Sequence, residues 1–336
     1  MMAKEWGGYL PLEQTLQYND KQPLFADVED RYVLRLNSAR NAICFIMQTD
    51  TYKKIWIPLY MCLSIKETLE RYDISYEVYN IDSGFNPIVD FIPEQDIILV
   101  CNYFGLKDEK YYDECVNKYG NVIFDNTQAL FREPVLKGNV FNVYSYRKFV
   151  GVSDGALLIG TDICNNVYQQ EYKGLDIDRS SDRASYLVKS VELTTNGAYK
   201  EYLESELHLG DIRQMSPLTK SLLRNIEYEK IAEIRLNNYS KIKSKLESYN
   251  EIHFNESDIT PMCYPLYVEN DGLRNSLVQK KIYVPQWWKW ILDDERANSW
   301  ERNVSKWLLP IPIDQRYGEE EMLELAGIII DCLGVI

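Results

Sequence analysis

Two charged residues, Asp125 and Lys148, follow short apolar segments, at positions where a side chain can meet a ligand. Asp125 ends the run Val-Ile-Phe-Asp and is followed three residues later by Gln128. Lys148 ends the run Ser-Tyr-Arg-Lys, which begins at Ser145 after a second apolar segment. An aspartate in this position also commonly caps a helix, and a single lysine is usually a solvated surface charge. These residue types therefore indicate a ligand site only together with the elements that carry them.

A third candidate is the polar stretch from Asn37 to Asn41, which opens the apolar segment from Ala42 to Met47. Ser38 has the residue type and the position of a helix N-cap. The first N–H groups of a helix have no partner within the helix, and such groups bind phosphate. Most serine caps serve only their own helix, so the stretch predicts either a phosphate site or a simple cap.

Strand-like and helix-like segments alternate through the first half of the chain. Strands are predicted at residues 54–57, 75–79, 97–101, 122–124, 140–144 and 156–159, and helices at 64–71 and 108–119. This alternation is typical of an α/β/α sandwich with a mostly parallel sheet. Ligands bind such sheets beyond the carboxyl ends of the strands. The residues expected there are Pro58, Asn102, Tyr103, Asp125 and Ser145.

The second half of the chain has a different pattern. A long helical stretch with many charges runs from about residue 216 to residue 246, a length that suits a helix between two domains. Strands at 262–268 and 281–285 and helices at 271–279 and 319–332 are predicted beyond it. We therefore predict a large α/β/α domain at 1–215, an interdomain helix at 216–247 and a smaller C-terminal α+β domain at 248–336.

Composition and charge exclude several classes of protein. With 37 Lys and Arg against 51 Asp and Glu, the formal net charge is −14, which repels a nucleic-acid backbone. Seven scattered cysteines without a C-x-x-C pair, and two histidines, provide neither a disulfide framework nor a metal site. The first residues lack the apolar core of a secretory signal, and the apolar stretch near residue 336 is too short to span a bilayer. We expect a cytoplasmic protein that binds neither nucleic acid nor membrane nor metal.

The order of these features resembles that of fold-type-I pyridoxal 5′-phosphate (PLP) enzymes, and most closely the DegT/DnrJ/StrS family of sugar aminotransferases. Nine short stretches carry the resemblance, in the family's order and over nearly the whole chain. They are Leu-Asn-Ser-Ala-Arg-Asn-Ala (36–42), Trp-Ile-Pro-Leu-Tyr-Met-Cys (56–62), Asn-Tyr-Phe-Gly (102–105), Phe-Asp-Asn-Thr-Gln-Ala-Leu (124–130), Ser-Tyr-Arg-Lys-Phe (145–149), Asp-Gly-Ala (154–156), Met-Ser (215–216), Leu-Asn-Asn-Tyr (236–239) and Leu-Pro-Ile-Pro-Ile-Asp-Gln-Arg-Tyr (309–317). The resemblance implies a three-layer α/β/α PLP-transferase domain with a mostly parallel sheet, followed by a smaller C-terminal α+β domain.

The same resemblance implies roles for three residues around the ring of the cofactor. Lys148 would hold PLP as a Schiff base and, once released, would move a proton between substrate and cofactor. Asp125 would pair with the pyridine nitrogen and keep it protonated, and Gln128 would lie near the phenolic oxygen of the ring.

The phosphate and one face of the ring would be bound by other segments. Under the resemblance, the phosphate would be held by Ser145, Ser38 and the N–H groups of Ala39, Arg40 and Asn41. The residue that stacks on the ring would come from residues 56–62, where Tyr60 suits stacking chemically and the simplest alignment points to Cys62. The family commonly has glycine and then a hydroxyl residue in place of Ala39 and Arg40, so Arg40 would contact the phosphate or reach an incoming substrate.

Three tryptophans near residue 290 exceed what a small core usually needs. Together with Tyr103 at a predicted strand end, Trp287 and Trp288 are candidates for substrate contact, as a stacking wall or a lid. The alternative is that two of the three indoles pack in the core and the third lies at a subunit interface.

The activity implied by the resemblance is PLP-dependent transamination. An amino group would pass from an amino acid, with glutamate as the expected donor, to a nucleotide-linked keto sugar in a ping-pong reaction. Family members of this kind are homodimers with shared active sites, so a loop of a second subunit would complete the phosphate site.

Three alternatives differ from this prediction in identifiable residues. The resembling sugar dehydratases have histidine in place of the Schiff-base lysine, whereas this chain has Lys148. A non-catalytic or regulatory protein of the same fold would not need Asp125, Gln128, Ser145 and Lys148 together. A dinucleotide-dependent dehydrogenase would need G-x-G-x-x-G after a strand, which the chain lacks.

Overall fold

Twelve strands and ten α-helices are present in the described part of the chain, which the computed structural model gives as residues 6–7, 24–192, 198, 200, 202, 210–254 and 260–334. The strands are β1 (Trp6–Gly7), β2 (Val33–Leu36), β3 (Ile55–Pro58), β4 (Tyr76–Ile81), β5 (Pro87–Ile88), β6 (Ile97–Cys101), β7 (Val122–Asp125), β8 (Val140–Ser145), β9 (Ala156–Ile159), β10 (Cys263–Tyr267), β11 (Ile282–Tyr283) and β12 (Leu308–Pro312). The helices are α1 (Ala39–Thr49), α2 (Leu63–Arg71), α3 (Glu109–Tyr119), α4 (Asn166–Gly174), α5 (Ser185–Glu192), α6 (Pro217–Leu223), α7 (Tyr228–Leu246), α8 (Leu273–Gln279), α9 (Ser299–Trp307) and α10 (Glu319–Leu333). Within these described ranges, no helix is long and apolar enough to cross a membrane.

Eight of the strands form one mixed sheet in the order β2-β9-β8-β7-β6-β3-β4-β5. The five strands from β8 to β4 in this order are mutually parallel, while β9 is antiparallel to both of its neighbours and β5 is antiparallel to β4. The mostly parallel sheet predicted from the sequence is therefore confirmed. Because β2 runs in the direction of β8, its C-terminal end lies at the same edge of the sheet as the ends of the parallel strands.

The central strands are buried on both faces, which explains their uninterrupted apolar sequence. In β6, Ile97 and Leu99 join an apolar cluster that includes α1 and α2, whereas Ile98 and Val100 join a second cluster that includes α3. Successive side chains of a strand point to opposite faces, so helices on both sides are needed to cover such a strand. The result is the predicted α/β/α arrangement of three layers.

The C-terminal part of the chain has an apolar cluster of its own. Helices α7, α8 and α10 pack there with the antiparallel pair of β10 and β12. The division of the chain at residues 215 and 247 stays a prediction.

The stretch 216–247, for which one long helix is predicted, contains the two helices α6 and α7. The chain turns between them, where the Asn225 side chain donates a hydrogen bond to the Ser221 carbonyl oxygen (3.2 Å) and Ile226 is buried. An asparagine amide that bonds to a nearby carbonyl competes with continuation of the helix. The expectation of a single helix is therefore wrong at this point.

Strand β12 has prolines at 310 and 312, a residue type that the sequence pattern treats as a strand breaker. Among the residues that the structure describes, it pairs on one side only, with β10, and Pro310 lies opposite Pro265. In a two-stranded sheet, a residue whose N–H would point away from the partner strand makes no ladder hydrogen bond with that group. Proline, which has no N–H, is therefore tolerated at such a position.

A buried lysine joins the turn between β4 and β5 to the segment after β6. Lys107 donates hydrogen bonds to the carbonyl oxygen of Gly84 and to Asn86 Oδ1 (2.7 Å), and its ammonium lies 4.2 Å from the centre of the Tyr111 ring. Asp82 holds the same turn by accepting from the backbone N–H of Asn86 (2.8 Å). Burial lowers the pKa of the Lys107 ammonium to about 8, against the opposing charge of Asp82.

We predict that Lys107 makes the stability of the fold depend on pH. An unfolded lysine has a pKa of about 10.4, so between the folded value and this one the unfolded chain binds more protons and the free energy of unfolding rises with pH. The difference between wild type and Lys107→Met should grow in favour of wild type by about 1–3 kcal/mol from pH ~7.5 to pH ~10. Urea denaturation at several pH values measures it.

Lys110 provides the matched control, because its side chain is 80% exposed. Lys110→Met should differ from wild type by a constant amount over the same range. A pH-independent difference for Lys107→Met would show that the Lys107 amine has the same ionisation in the folded and the unfolded chain.

Candidate active site

The candidate site begins at the ends of β7 and β8, which are neighbours in the sheet. Asp125 is the last residue of β7 and pairs in register with Val143 of β8, two residues before Ser145. Lys148 closes the 3₁₀ turn Tyr146–Lys148 that directly follows β8. The carboxylate and the amine are therefore carried to one edge of the sheet by adjacent parallel strands.

Thr127 connects this carboxylate to this amine. Lys148 Nζ donates to Thr127 Oγ1 at 2.9 Å, and the backbone N–H of Thr127 donates to Asp125 Oδ1, also at 2.9 Å. Asp125 and Thr127 are only 8% and 6% exposed, whereas Lys148 is exposed. Thr127 is absent from the residues predicted from the sequence, where its position between Asp125 and Gln128 is the only signal for it.

Cys101, at the end of β6, is a second residue that the sequence does not single out. Its thiol lies 3.6 Å from Asp125 Oδ2. Burial, and then the charge of Asp125, raise the pKa of this thiol well above its usual range. The thiol therefore stays protonated and donates to the carboxylate, so each oxygen of Asp125 has its own donor.

Gln128 is held in one orientation by the turn after β6. Its Oε1 accepts a hydrogen bond from the backbone N–H of Phe104 at 2.7 Å. With the carbonyl end of the amide occupied in this way, the Nε2 group is the end that remains to donate to a ligand. Phe104 and Gly105 have φ values of 62° and 76°, so two consecutive residues of this turn are left-handed.

The close approach of this turn explains the glycine at 105. A Cβ atom there would lie 2.5 Å from the backbone carbonyl oxygen of Gln128. A side chain would therefore push the segment of Gln128 away from the turn, in addition to the cost of the left-handed backbone.

We predict that Gly105→Ala lowers the free energy of unfolding by about 3 kcal/mol or more, of which the left-handed backbone accounts for about 1–2 kcal/mol. Gly120→Ala is the matched control, because Gly120 has φ 75° and nothing within 4 Å of an added Cβ. Gly120→Ala should lower the free energy of unfolding only by the contribution of the backbone conformation. Chemical denaturation of both variants gives the comparison, and equal losses would mean that the contact with Gln128 is easily relieved.

The predicted phosphate site is a capped helix start, as its sequence suggests. Ser38 is the N-cap of α1, and its Oγ accepts from the backbone N–H of Asn41 at 3.3 Å. The carbonyl oxygen of Asn37 accepts from the N–H of Gly155 at 2.8 Å. Gly155 precedes Ala156, which pairs with Ser145 at the end of β8. The start of α1 therefore lies at the same sheet edge as Ser145, with Ala39 and Arg40 partly exposed in its first turn.

Tyr60 and Cys62, the two candidates for ring stacking, have different surroundings. Tyr60 is fully buried, with its ring centre 4.4 Å from that of Trp288. Burial raises the pKa of its hydroxyl. Cys62 is exposed at the start of α2, where its Sγ accepts from Ser64 Oγ at 3.2 Å. Of the two, Cys62 has the accessible side chain, and the stacking role stays a prediction.

The three aromatic candidates for substrate contact belong to a cluster beside the turn after β6. Tyr103 is buried and donates its hydroxyl to the carbonyl oxygen of Tyr60 at 2.7 Å. The Trp287 ring stacks on Phe104 at 5.7 Å with an angle of 10° between the planes, and Trp288 stacks on Trp287. Both indoles are partly buried against the core. These contacts give the residues a packing role, and substrate contact stays a prediction.

The set of donors and acceptors at this edge suits a pyridine aldehyde with a phosphate. A buried carboxylate pairs with a protonated ring nitrogen, and an amine reacts with an aldehyde. The Nε2 group of Gln128 is available for a phenolic oxygen, and a helix start beside Ser145 is available for a phosphate. The residues present therefore fit PLP.

No family model and no curated protein matches this chain. Solved structures do match it. The aminotransferase TlmJ of Streptoalloteichus hindustanus is 11% identical, with 98% of this chain and 99% of that one covered and a TM-score of 0.67. PseC of Helicobacter pylori, an aminotransferase involved in the biosynthesis of pseudoaminic acid, is 11% identical over 99% and 100%, with a TM-score of 0.65.

A DegT/DnrJ/EryC1/StrS aminotransferase of Brucella abortus is 13% identical to this chain. It covers 89% of this chain and 85% of its own length, with a TM-score of 0.57. At such low identities the similarity shows the fold. The chain has the α/β fold of these aminotransferases, and the resemblance found in the sequence is confirmed at this level.

Proposed function

We propose that this protein is a PLP-dependent aminotransferase that delivers an amino group to a keto sugar. The observation that carries the proposal is the hydrogen-bonded series from Lys148 through Thr127 to Asp125, at the ends of two adjacent parallel strands. A fold shared with sugar aminotransferases supports it, because active sites in open α/β sheets lie at this edge.

Four side chains and the first N–H groups of α1 would hold the cofactor around its ring and phosphate. PLP, when bound, supplies an aldehyde that takes up the amino group and a ring that stabilises negative charge on the reacting carbon. Asp125 keeps the ring nitrogen protonated, and its fixed position between two donors orients it for this task. Gln128 donates from Nε2 to the phenolic oxygen. Ser38 and Ser145 bind the phosphate together with the first N–H groups of α1, which include those of Ala39, Arg40 and Asn41.

Lys148 has two tasks in this proposal. Its amine would hold PLP by condensing with the aldehyde, with loss of water, and once an amino acid has taken its place the free amine would move a proton at the substrate carbon. Glutamate is the proposed donor and a nucleotide-linked keto sugar the proposed acceptor, in a ping-pong sequence. Arg40, Tyr103, Trp287 and Trp288 are the proposed substrate contacts. The presence of Lys148, where resembling sugar dehydratases have histidine, favours transamination over dehydration.

We predict that borohydride fixes PLP covalently to the wild-type chain and not to the Lys148→Ala variant, because the Lys148 amine is hydrogen-bonded to Thr127 directly after Asp125. Mass spectrometry of the peptides identifies the modified lysine. Lys110→Ala, which removes a side chain that is 80% exposed, is the control and should keep the adduct. An adduct in Lys148→Ala would show that another lysine binds the cofactor. If the adduct forms at Lys148 but no amino acid changes the visible absorbance of the cofactor, the protein is a non-catalytic member of the fold.

We also propose a homodimer in which a loop of the second subunit completes the phosphate site. Val188 and Val191 of α5 are 55% and 57% exposed and lie one helical turn apart, so they form an apolar strip on one face. Exposed apolar surface of this kind is typical of protein–protein interfaces.

We predict that Val188→Lys combined with Val191→Lys shifts the protein from dimer to monomer and weakens the binding of PLP at least about tenfold, since a charge buried in an interface is costly. Light scattering coupled to gel filtration measures the oligomer, and titration with PLP measures binding. Val278→Lys on α8, where the valine is 45% exposed, is the control and should stay dimeric. A wild-type monomer that binds PLP fully would contradict the shared site.

A further inference from the structure

Thr127 is the only residue that fixes the position of the Lys148 amine within the described part of the chain. A lysine side chain has four rotatable bonds, and that of Lys148 starts from an exposed position in a 3₁₀ turn. Its Nζ makes one hydrogen bond with the described residues, to Thr127 Oγ1 at 2.9 Å. Without this bond the amine would sample many positions, because solvated lysine rotamers differ little in energy.

Thr127 is itself held rigidly. The residue is 6% exposed, and its N–H donates to Asp125 Oδ1 at 2.9 Å. A β-branched side chain has few accessible χ1 rotamers, so the hydroxyl direction follows from the backbone. The backbone is fixed by the bond to Asp125, which the Cys101 thiol contacts from the other side at 3.6 Å. The position of the Thr127 hydroxyl is therefore determined by the carboxylate proposed to hold the cofactor ring.

The hydroxyl group suits a lysine that changes its protonation state. It accepts a hydrogen bond from an ammonium group and can donate one to a neutral amine. An alanine or valine at this position would offer neither.

We infer that Thr127 is a positioning residue that holds the Lys148 amine beside the aldehyde carbon of the cofactor. This inference rests on the proposed function. During transfer the amine leaves the cofactor carbon and must return to it, and the Thr127 hydroxyl gives the released amine a defined place next to Asp125. Holding two reacting groups at a fixed separation lowers the entropic part of the barrier. Thr127 therefore affects the rate at which the Lys148 amine forms its covalent bond with PLP, which we call covalent capture. The affinity of the pocket for the ring and the phosphate comes from other residues.

Two ligands allow the rate of covalent bond formation by Lys148 to be measured separately from the affinity of the pocket. PLP has the aldehyde that Lys148 attacks, whereas pyridoxine 5′-phosphate has an alcohol at the same carbon and binds without reaction. In Thr127→Val, which has the same shape without the hydroxyl, covalent capture of PLP should be about tenfold slower, as expected for loss of a hydrogen bond of roughly 1.4 kcal/mol that orients the neutral, attacking amine. The affinity for pyridoxine 5′-phosphate should be unchanged. Stopped-flow absorbance and titration calorimetry with the cofactor-free protein give the two quantities.

Thr127→Ser supplies the rescue, because it keeps the hydroxyl and loses only a methyl group. Its capture rate should lie within about threefold of wild type. Equal rates for Thr127→Val and wild type would overturn the inference, and so would a serine variant as slow as the valine variant. An equal loss of affinity for both ligands would show that Thr127 shapes the pocket instead. If wild type itself binds neither ligand, the proposed function fails, which is a different result from all of these.

Discussion

The parallel pairing of β7 with β8 is the constraint on which the candidate site depends. All four residues of β7 are buried, with Ile123 facing one apolar cluster and Phe124 facing the other. A slip by one residue would exchange the side chains that fit these two clusters, so packing fixes the register strongly. That register sets Asp125 beside Val143 and brings the turn of Lys148 to the same edge. The positions of Thr127 and Gln128 follow, because their segment leaves directly from Asp125.

Backbone strain beside the site has a structural use. Phe104 is a non-glycine residue in the left-handed region, which costs about 1–2 kcal/mol. In return its N–H reaches Gln128, and its ring packs between Phe85 and the stacked Trp287. The same turn thus orients the amide of Gln128 and joins it to indoles from the C-terminal part. A strained turn of this kind persists only because its contacts with Gln128 and with the aromatic rings offset the cost of its backbone conformation.

The proposed function requires a chain with a net charge of −14 to bind an anionic cofactor by local means. The proposed phosphate site relies on the N–H groups at the start of α1 and on serine hydroxyls, whose partial charges act at short range and do not depend on the net charge. The negative charge of Asp125 is kept in place by a backbone N–H and a protonated thiol. Such neutral donors stabilise the carboxylate without cancelling the charge that is proposed to pair with the ring nitrogen.

Six of the eight strands of the mixed sheet are recognisable in the sequence, since buried strands such as Ile97–Cys101 are apolar runs, whereas β2 and β5 are not among the predicted strands. The sequence also places Asp125, Gln128 and Lys148 at or near strand ends. Tertiary structure alone decided the contacts of Thr127 and Cys101 with these residues, the burial of Tyr60 and the break between α6 and α7. The physical reason is the distance along the chain over which each kind of signal acts. Periodicity and local propensity act within a few residues, whereas Cys101 and Asp125, or Thr127 and Lys148, meet only after the twenty or more residues between them have folded into a sheet.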